Sequence, residues 1–166
     1  MNNIHIGVDP GSVSGCIALI YTTDGNIKSI ETIEFAKYTT KEWFNKLKSF
    51  IGLTYNIDTI ANRNYIYCTL EKVHSFPGMS AQSTFAFARN VGHIEMALLA
   101  LNIPFKEITP QVWMKYYNLK KMKDESKPDW KRRLREYLQR ILPDIKITNN
   151  IADAILIAYY TMKINQ

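Results

Sequence analysis

The sequence predicts an α/β fold, a mixed five-stranded sheet covered by helices, and three observations carry that prediction. Five short runs rich in β-formers, at 4–9, 15–21, 27–35, 65–70 and 103–108, read as strands. Their order along the chain is three strands, then helix, strand, helix and strand, which suits a mixed sheet rather than a sandwich or a bundle. A C-terminal run around 151–158 is apolar nearly all round, as a helix lying against a sheet must be.

The first strand ends abruptly, because Asp9 is followed by Pro10 and Gly11, which turn the backbone away. The second and third strands form a hairpin around Asp24-Gly25. Thr40 offers an N-cap to a helix with Trp43, Phe44, Leu47, Phe50 and Ile51 at helical spacing. After a polar break at 62–64, the fourth strand runs straight into Glu71. Pro77-Gly78 forbids its continuation. Ser80 then caps a long helix reaching about Leu101, in whose middle Gly92 costs about 1 kcal/mol relative to Ala. Retention of that glycine predicts that another element packs closely there. Pro104 marks the last strand as an edge or a strand start, and Thr109-Pro110 starts a short helix with Trp113 and Tyr116. The charged stretch 120–127 lacks periodicity and reads as a mobile loop. From Pro128 a helix sets Trp130, Leu134, Tyr137, Leu138 and Ile141 on one face and Lys131, Arg132 and Arg135 on the other, and Pro143 stops it. The final helix is expected to begin near Asn149-Asn150, with Asp153 at about N3.

Composition narrows the function classes. The chain has 166 residues, 46% apolar and 22% charged, which suits one domain, 1–166, and argues against disorder. No run approaches the roughly 18 apolar residues of a membrane span. A strand beginning by residue 4 leaves no room for a leader peptide, so a cytoplasmic or nucleoid location is expected. Cys16 and Cys68 lie in apolar runs and read as buried, reduced core residues. The net charge of +6 is concentrated between Lys115 and Arg140, where ten Lys/Arg face four Asp/Glu; the rest of the chain is neutral. A localised basic stripe points to a polyanionic partner.

Three carboxylates, Asp9, Glu71 and Asp153, fall at the ends of elements. Each has a plain reading: Asp9 as a turn cap, Glu71 as a solvated strand end, Asp153 as an acid on a helix dipole. Taken together they have another. Two adjacent strands ending at one edge would set Asp9 beside Glu71, and a helix starting at that edge would bring in Asp153. Like charges held close repel, and hard oxygen donors select Mg²⁺ or Mn²⁺ as the remedy. Two such ions roughly 4 Å apart can activate water and stabilise the leaving oxygen of a phosphodiester.

Three blocks carry a family resemblance: Gly7-Val8-Asp9-Pro10-Gly11-Ser12, Leu70-Glu71-Lys72-Val73-His74, and 150–158, Asn-Ile-Ala-Asp-Ala-Ile-Leu-Ile-Ala. In this order they resemble the signature blocks of RuvC-type Holliday junction resolvases, and 76–92 with 108–113 is similar to phage- and prophage-encoded members. The Asp-Pro-Gly block alone is less specific, since actin-like kinases share a strand-end acid; the chain is too short for their two domains. The resemblance implies a ribonuclease H-like fold and a homodimer that binds branched DNA, chiefly four-way junctions. Each subunit would nick one strand with divalent metal, Mg²⁺ or Mn²⁺, two per site. It carries the metal-binding and catalytic roles to Asp9, Glu71 and Asp153. The family's fourth ligand, an Asp or His, falls on Asn150, a departure that leaves only a neutral carbonyl oxygen. DNA contacts fall on Phe76, as a wedge into the junction, and on Lys120, Lys121, Lys123, Lys127, Lys131, Arg132 and Arg135. His74 is a candidate general base, and the long helix from Ser80 a candidate dimer interface. The alternatives are a broader flap or fork nuclease and a junction-binding protein whose catalysis is weakened by Asn150.

Overall fold

The structure is a computed structural model that describes residues 2–11, 14–54, 65–74 and 78–165. Its five strands are β1 (Asn2–Asp9), β2 (Cys16–Thr23), β3 (Asn26–Glu34), β4 (Tyr65–Glu71) and β5 (Phe105–Ile108). They form one sheet in the order β3-β2-β1-β4-β5. The β1–β2 and β2–β3 pairs are antiparallel, and β1–β4 and β4–β5 are parallel. The helices are α1 (Thr40–Thr54), α2 (Ala81–Ala100), α3 (Pro110–Tyr116), α4 (Lys127–Ile141) and α5 (Ala152–Ile164).

Side-chain alternation divides the core in two. Ile4, Ile6 and Val8 of β1 join Ile17 and Leu19 of β2 against Trp43 and Leu47 of α1 and Leu98 of α2. Cys16, Ala18 and Ile20 face the other way, against Trp113, Leu134, Leu138 and the apolar body of α5. Both cysteines are free and buried, and burial pushes the Cys16 thiol up to about 12, so neither is a ready nucleophile.

Small residues bring α5 onto the sheet. A Cβ on Gly7 of β1 would lie 2.1 Å from the Ala158 nitrogen and 2.4 Å from the Ala154 oxygen, so only glycine permits this approach. Thr161 of α5 adds a polar tie, donating to Thr69 Oγ1 of β4 at 2.7 Å. The β2–β3 turn has positive φ at both Asp24 and Gly25 (50° and 78°), the hairpin geometry expected of Asp-Gly.

Several boundaries differ from the sequence reading, for local reasons. The cap of α1 is Thr39, not Thr40: Thr39 Oγ1 accepts from the Glu42 N–H (3.4 Å), and Glu42 Oε2 accepts from the Thr39 N–H (2.8 Å). This reciprocal pair is a capping box. Phe35 leaves β3 for a short 3₁₀ turn, and β5 starts after Pro104, which has no N–H to give to a ladder. Ser126 caps α4 by accepting from the Asp129 N–H (3.2 Å), placing Pro128 in the first turn. The last helix begins at Ala152, so Asp153 is its second residue. A Cβ on Gly92 would meet nothing within 4 Å among the described residues, so the close neighbour expected there is not found among them. The 120–127 stretch, read as mobile, is held by Arg133, which donates to Glu125 Oε1 and Oε2 (both 2.8 Å) and to the Lys120 carbonyl (2.7 Å).

Candidate active site

The rim of the sheet where β1 and β4 end gathers the acids. Cross-strand register pairs Asp9 with Cys16 and Cys16 with Glu34, while Val8 pairs with Leu70 on the other side. One row therefore runs Glu34, Cys16, Asp9, Glu71 across adjacent strands about 4.8 Å apart, on the face that α5 covers. The first turn of α5 adds Asp153 above that row. Asp9 and Asp153 are both buried.

Each carboxylate is held by its surroundings. Asp9 Oδ1 accepts the Gly11 N–H (3.1 Å), so Asp9 does cap its turn. The turn is compact because Gly15 donates to the Gly11 carbonyl (2.8 Å), an approach no Cβ on Gly15 would allow. Asn90 of α2 donates to the Pro10 carbonyl (3.0 Å), tying the long helix to the same turn. Glu71 Oε1 accepts the indole N–H of Trp113 (2.9 Å). Lys131 of α4 reaches across to form an ion pair with Asp153 Oδ2, while Asp153 Oδ1 is buried without a hydrogen-bond partner among the described residues.

The charges share one field. Burial, and then the neighbouring Asp153, push the Asp9 carboxyl up to about 6, against the pull of Lys131, the Gly11 N–H and Lys127. Burial, and then Asp9, push Glu71 up to about 7, with the Trp113 bond acting in the opposite sense. Burial alone would lower the Lys131 ammonium, but Asp153, Asp9 and Glu71 together hold it above its ordinary value. Three distant stretches of chain thus act on one another electrostatically at a single place.

The donor set suits a hard divalent cation, being all oxygen, mutually repelling and including the orphaned Asp153 Oδ1. The arrangement is not a closed cage: among the described residues, no three His, Cys, Asp or Glu side chains are close enough to hold an ion between them. Among the described residues, the positive charge in contact with the acids is the ammonium of Lys131, with Lys127 farther off.

The other candidates scatter. Asn150 lies in the turn before α5 and its amide nitrogen points to Glu34 Oε2 (3.5 Å), an acid that also pairs with Lys37 (2.6 Å). Lys127 lies one helical turn before Lys131 and acts on Asp9. Lys120, Lys121 and Lys123 are exposed. Arg132 is engaged by Asp129 (2.7 Å) and Glu136 (3.9 Å), so part of the basic stripe is internally compensated. Arg135 is half-buried and His74 exposed, and Phe76 lies outside the described residues. Lys131 departs from the solvent-facing position expected for it, because burial of Trp130 and Leu134 turns its side chain toward α5.

Sequence reasoning missed three contributors. Trp113 reads as a core residue, yet a buried indole needs an acceptor, and Glu71 is the one it finds. Glu34 ends an alternating strand and looks like any edge acid; only the β1–β2–β3 register brings it into line with Asp9. Asn90 carries no sequence signal beyond being polar in a helix.

No family model matches this chain, and no curated protein matches it significantly. Solved structures do. RuvC of T. thermophilus in complex with a Holliday junction substrate is similar over 95% of this chain and 90% of its own, with a TM-score of 0.54 and 13% identity. The fold is RuvC-like. A second Thermus thermophilus RuvC structure matches over 95% and 91% of the two chains at the same TM-score of 0.54 and 14% identity. The RuvC-like fold thus has its five-stranded sheet and flanking helices here at an identity too low to carry residue roles across.

Proposed function

We propose that this protein is a divalent-metal-dependent endonuclease that resolves four-way DNA junctions by nicking paired strands, in recombination or repair. The observation that supports it most is the convergence of Asp9, Glu71 and Asp153 at one rim of a RuvC-like sheet, beside Lys127 and Lys131. Asp9, Glu71 and Asp153 would hold Mg²⁺ or Mn²⁺, whose contribution when bound is Lewis acidity toward the phosphodiester and activation of water. The chain's own residues do the positioning. The Gly11 N–H fixes the Asp9 carboxylate, and the Trp113 indole fixes Glu71. Lys120, Lys121, Lys123 and Lys127 would grip phosphates, so DNA affinity is expected to fall steeply with salt. Phe76 would supply a wedge. A carbonyl oxygen from Asn150 would complete the ligand set if its amide swung away from Glu34.

We also infer a homodimer built on α2. Phe85, Met96 and Leu99 are 68%, 62% and 59% exposed and lie on one stripe with Gly92, whose open surface admits a second helix closely. Two sites held a fixed distance apart would then select junctions by shape. The similarity of 76–92 and 108–113 favours a phage- or prophage-type member acting in a bacterial cytoplasm; among the described residues no helix is long and apolar enough to cross a membrane.

The test is nicking of a synthetic four-way junction in Mg²⁺ and in Mn²⁺. Wild type should make paired nicks, Asp9→Asn should lose them by at least a hundredfold, and Asn150→Asp should gain in Mg²⁺. Full activity in Asp9→Asn would refute the proposal. Equal cutting of Y-forks would indicate a broader branched-DNA nuclease. Junction binding with no nicking in either metal would indicate a binding protein, a reading favoured by the ion pair that occupies Asp153.

A further inference from the structure

Resting on that metal-centre reading, we infer that Lys131 is the resident counter-cation of the acid cluster, and that a divalent cation enters in competition with its ammonium for Asp153. The geometry is direct. Lys131 leaves α4 beside Trp130 and Leu134, whose burial fixes the rotation of the helix. Its side chain is only 23% exposed and ends on Asp153 Oδ2. From there it acts on Asp9 and Glu71 as well as on Asp153. Among the described residues it is the cation that interacts with all three acids.

An ion pair of this kind has a cost when broken one-sidedly. Removing the ammonium leaves three carboxylates in a partly buried site, with only the Gly11 and Trp113 N–H groups and the more distant Lys127 to offset their repulsion among the described residues. Adding a dication while the ammonium stays places like charges within a few ångströms of each other. One positive group must therefore yield as the other arrives. Asp153 is the point of conflict: one oxygen is taken by Lys131, and the other is buried with no partner among the described residues. The lysine stem allows the exchange. It can swing its ammonium outward along α4, toward Lys127 and the surface proposed to meet DNA phosphates. Metal and DNA then favour each other's binding, because a phosphate gives the displaced ammonium a new partner.

The experiment titrates the full-length protein with Mn²⁺ alone, following free Mn²⁺ by electron paramagnetic resonance, with circular dichroism to confirm folding. Lys131→Met and Lys131→Gln should each bind Mn²⁺ at least tenfold more tightly than wild type. Lys131→Arg, which keeps the charge, should stay within a few-fold of it. Adding a four-way junction should tighten Mn²⁺ binding in wild type and do so much less in Lys131→Met. If Lys131→Met folds poorly alone, Mn²⁺ should restore its fold at concentrations lower than those that load wild type. Binding in both neutral variants that depends on Asp9 but is no tighter than wild type would overturn the counter-cation role and leave the metal centre standing. Mn²⁺ binding indifferent to Asp9→Asn would overturn the metal centre, and this inference with it.

Discussion

Replacing Gly7 by alanine tests whether α5 is seated on β1 as described. The added methyl would lie 2.1 Å from the Ala158 nitrogen, 2.4 Å from the Ala154 oxygen and 2.7 Å from the Ile157 carbonyl carbon. All three are main-chain atoms, so no rotamer change relieves the clash. Restoring an ordinary contact of ~3.5 Å to the Ala158 nitrogen requires the helix to move off the sheet by roughly 1.4 Å. Overpacking of a tight core costs ~1–3 kcal/mol, and with no flexible neighbour to yield, this case belongs near the top, about 3 kcal/mol. For a chain of this length that corresponds to a fall in Tm of about 6–12 °C. The same movement withdraws Asp153 from Asp9, so nicking should fall more than the fraction unfolded accounts for. Calorimetry and a nicking assay at a temperature where the variant is folded separate the two effects. A Tm within about 2 °C of wild type would refute the packing argument.

Other perturbations have equally definite outcomes. Without metal, Asp9 and Glu71, raised to about 6 and about 7, bind protons more tightly folded than unfolded, so folded stability should rise as pH falls from 8 through their values. His5 works in the opposite sense: its value is lowered by burial from 6.5 to about 4, so its charging opposes the fold as pH falls below 6.5. Two raised carboxyls outweigh one lowered imidazole, so metal-free stability, followed by urea denaturation in EDTA, should climb as pH falls from 8 to about 5, and a steady rise from pH 6 to 8 would contradict the assignment. Trp113→Phe deletes the N–H that favours ionised Glu71, so the midpoint of pH-dependent Mn²⁺ binding should move up by about one unit, as loss of a charge-assisted hydrogen bond requires; an unmoved midpoint would show the bond to be idle. Met96→Glu with Leu99→Glu should yield monomers by sedimentation and abolish paired nicking while single nicks persist, and dimers that survive both changes would place the interface elsewhere.

Much of this architecture is legible in the residues because the signals are local. Strand-end punctuation such as Asp9-Pro10-Gly11, alternation in β1 and β2, and the nearly all-apolar α5 each fix an element through short-range chemistry. The acids are locatable for the same reason: Asp9 and Glu71 end strands, and Asp153 lies in the first turn of a helix. What was hidden depends on register and rotation. Glu34 joins the rim through two antiparallel pairings, and Lys131 turns inward because its neighbours Trp130 and Leu134 take the core side of α4. Neither fact is written in any window of a few residues. The cap of α1 lies one position before the one its sequence suggests because Thr39 and Thr40 are chemically alike, and only Glu42 decides between them. Gly92 suggests close packing by its cost in mid-helix, yet among the described residues its surroundings are open.

The bond from the Trp113 indole to Glu71 also makes the centre observable without a label. Indole emission responds to the charge and polarity beside the ring, and this ring touches one of the acids on which loading depends. Trp43 lies in the opposite core and Trp130 on α4, so substituting phenylalanine at those two positions would leave a single tryptophan, excitable apart from the tyrosines, reporting occupancy in real time.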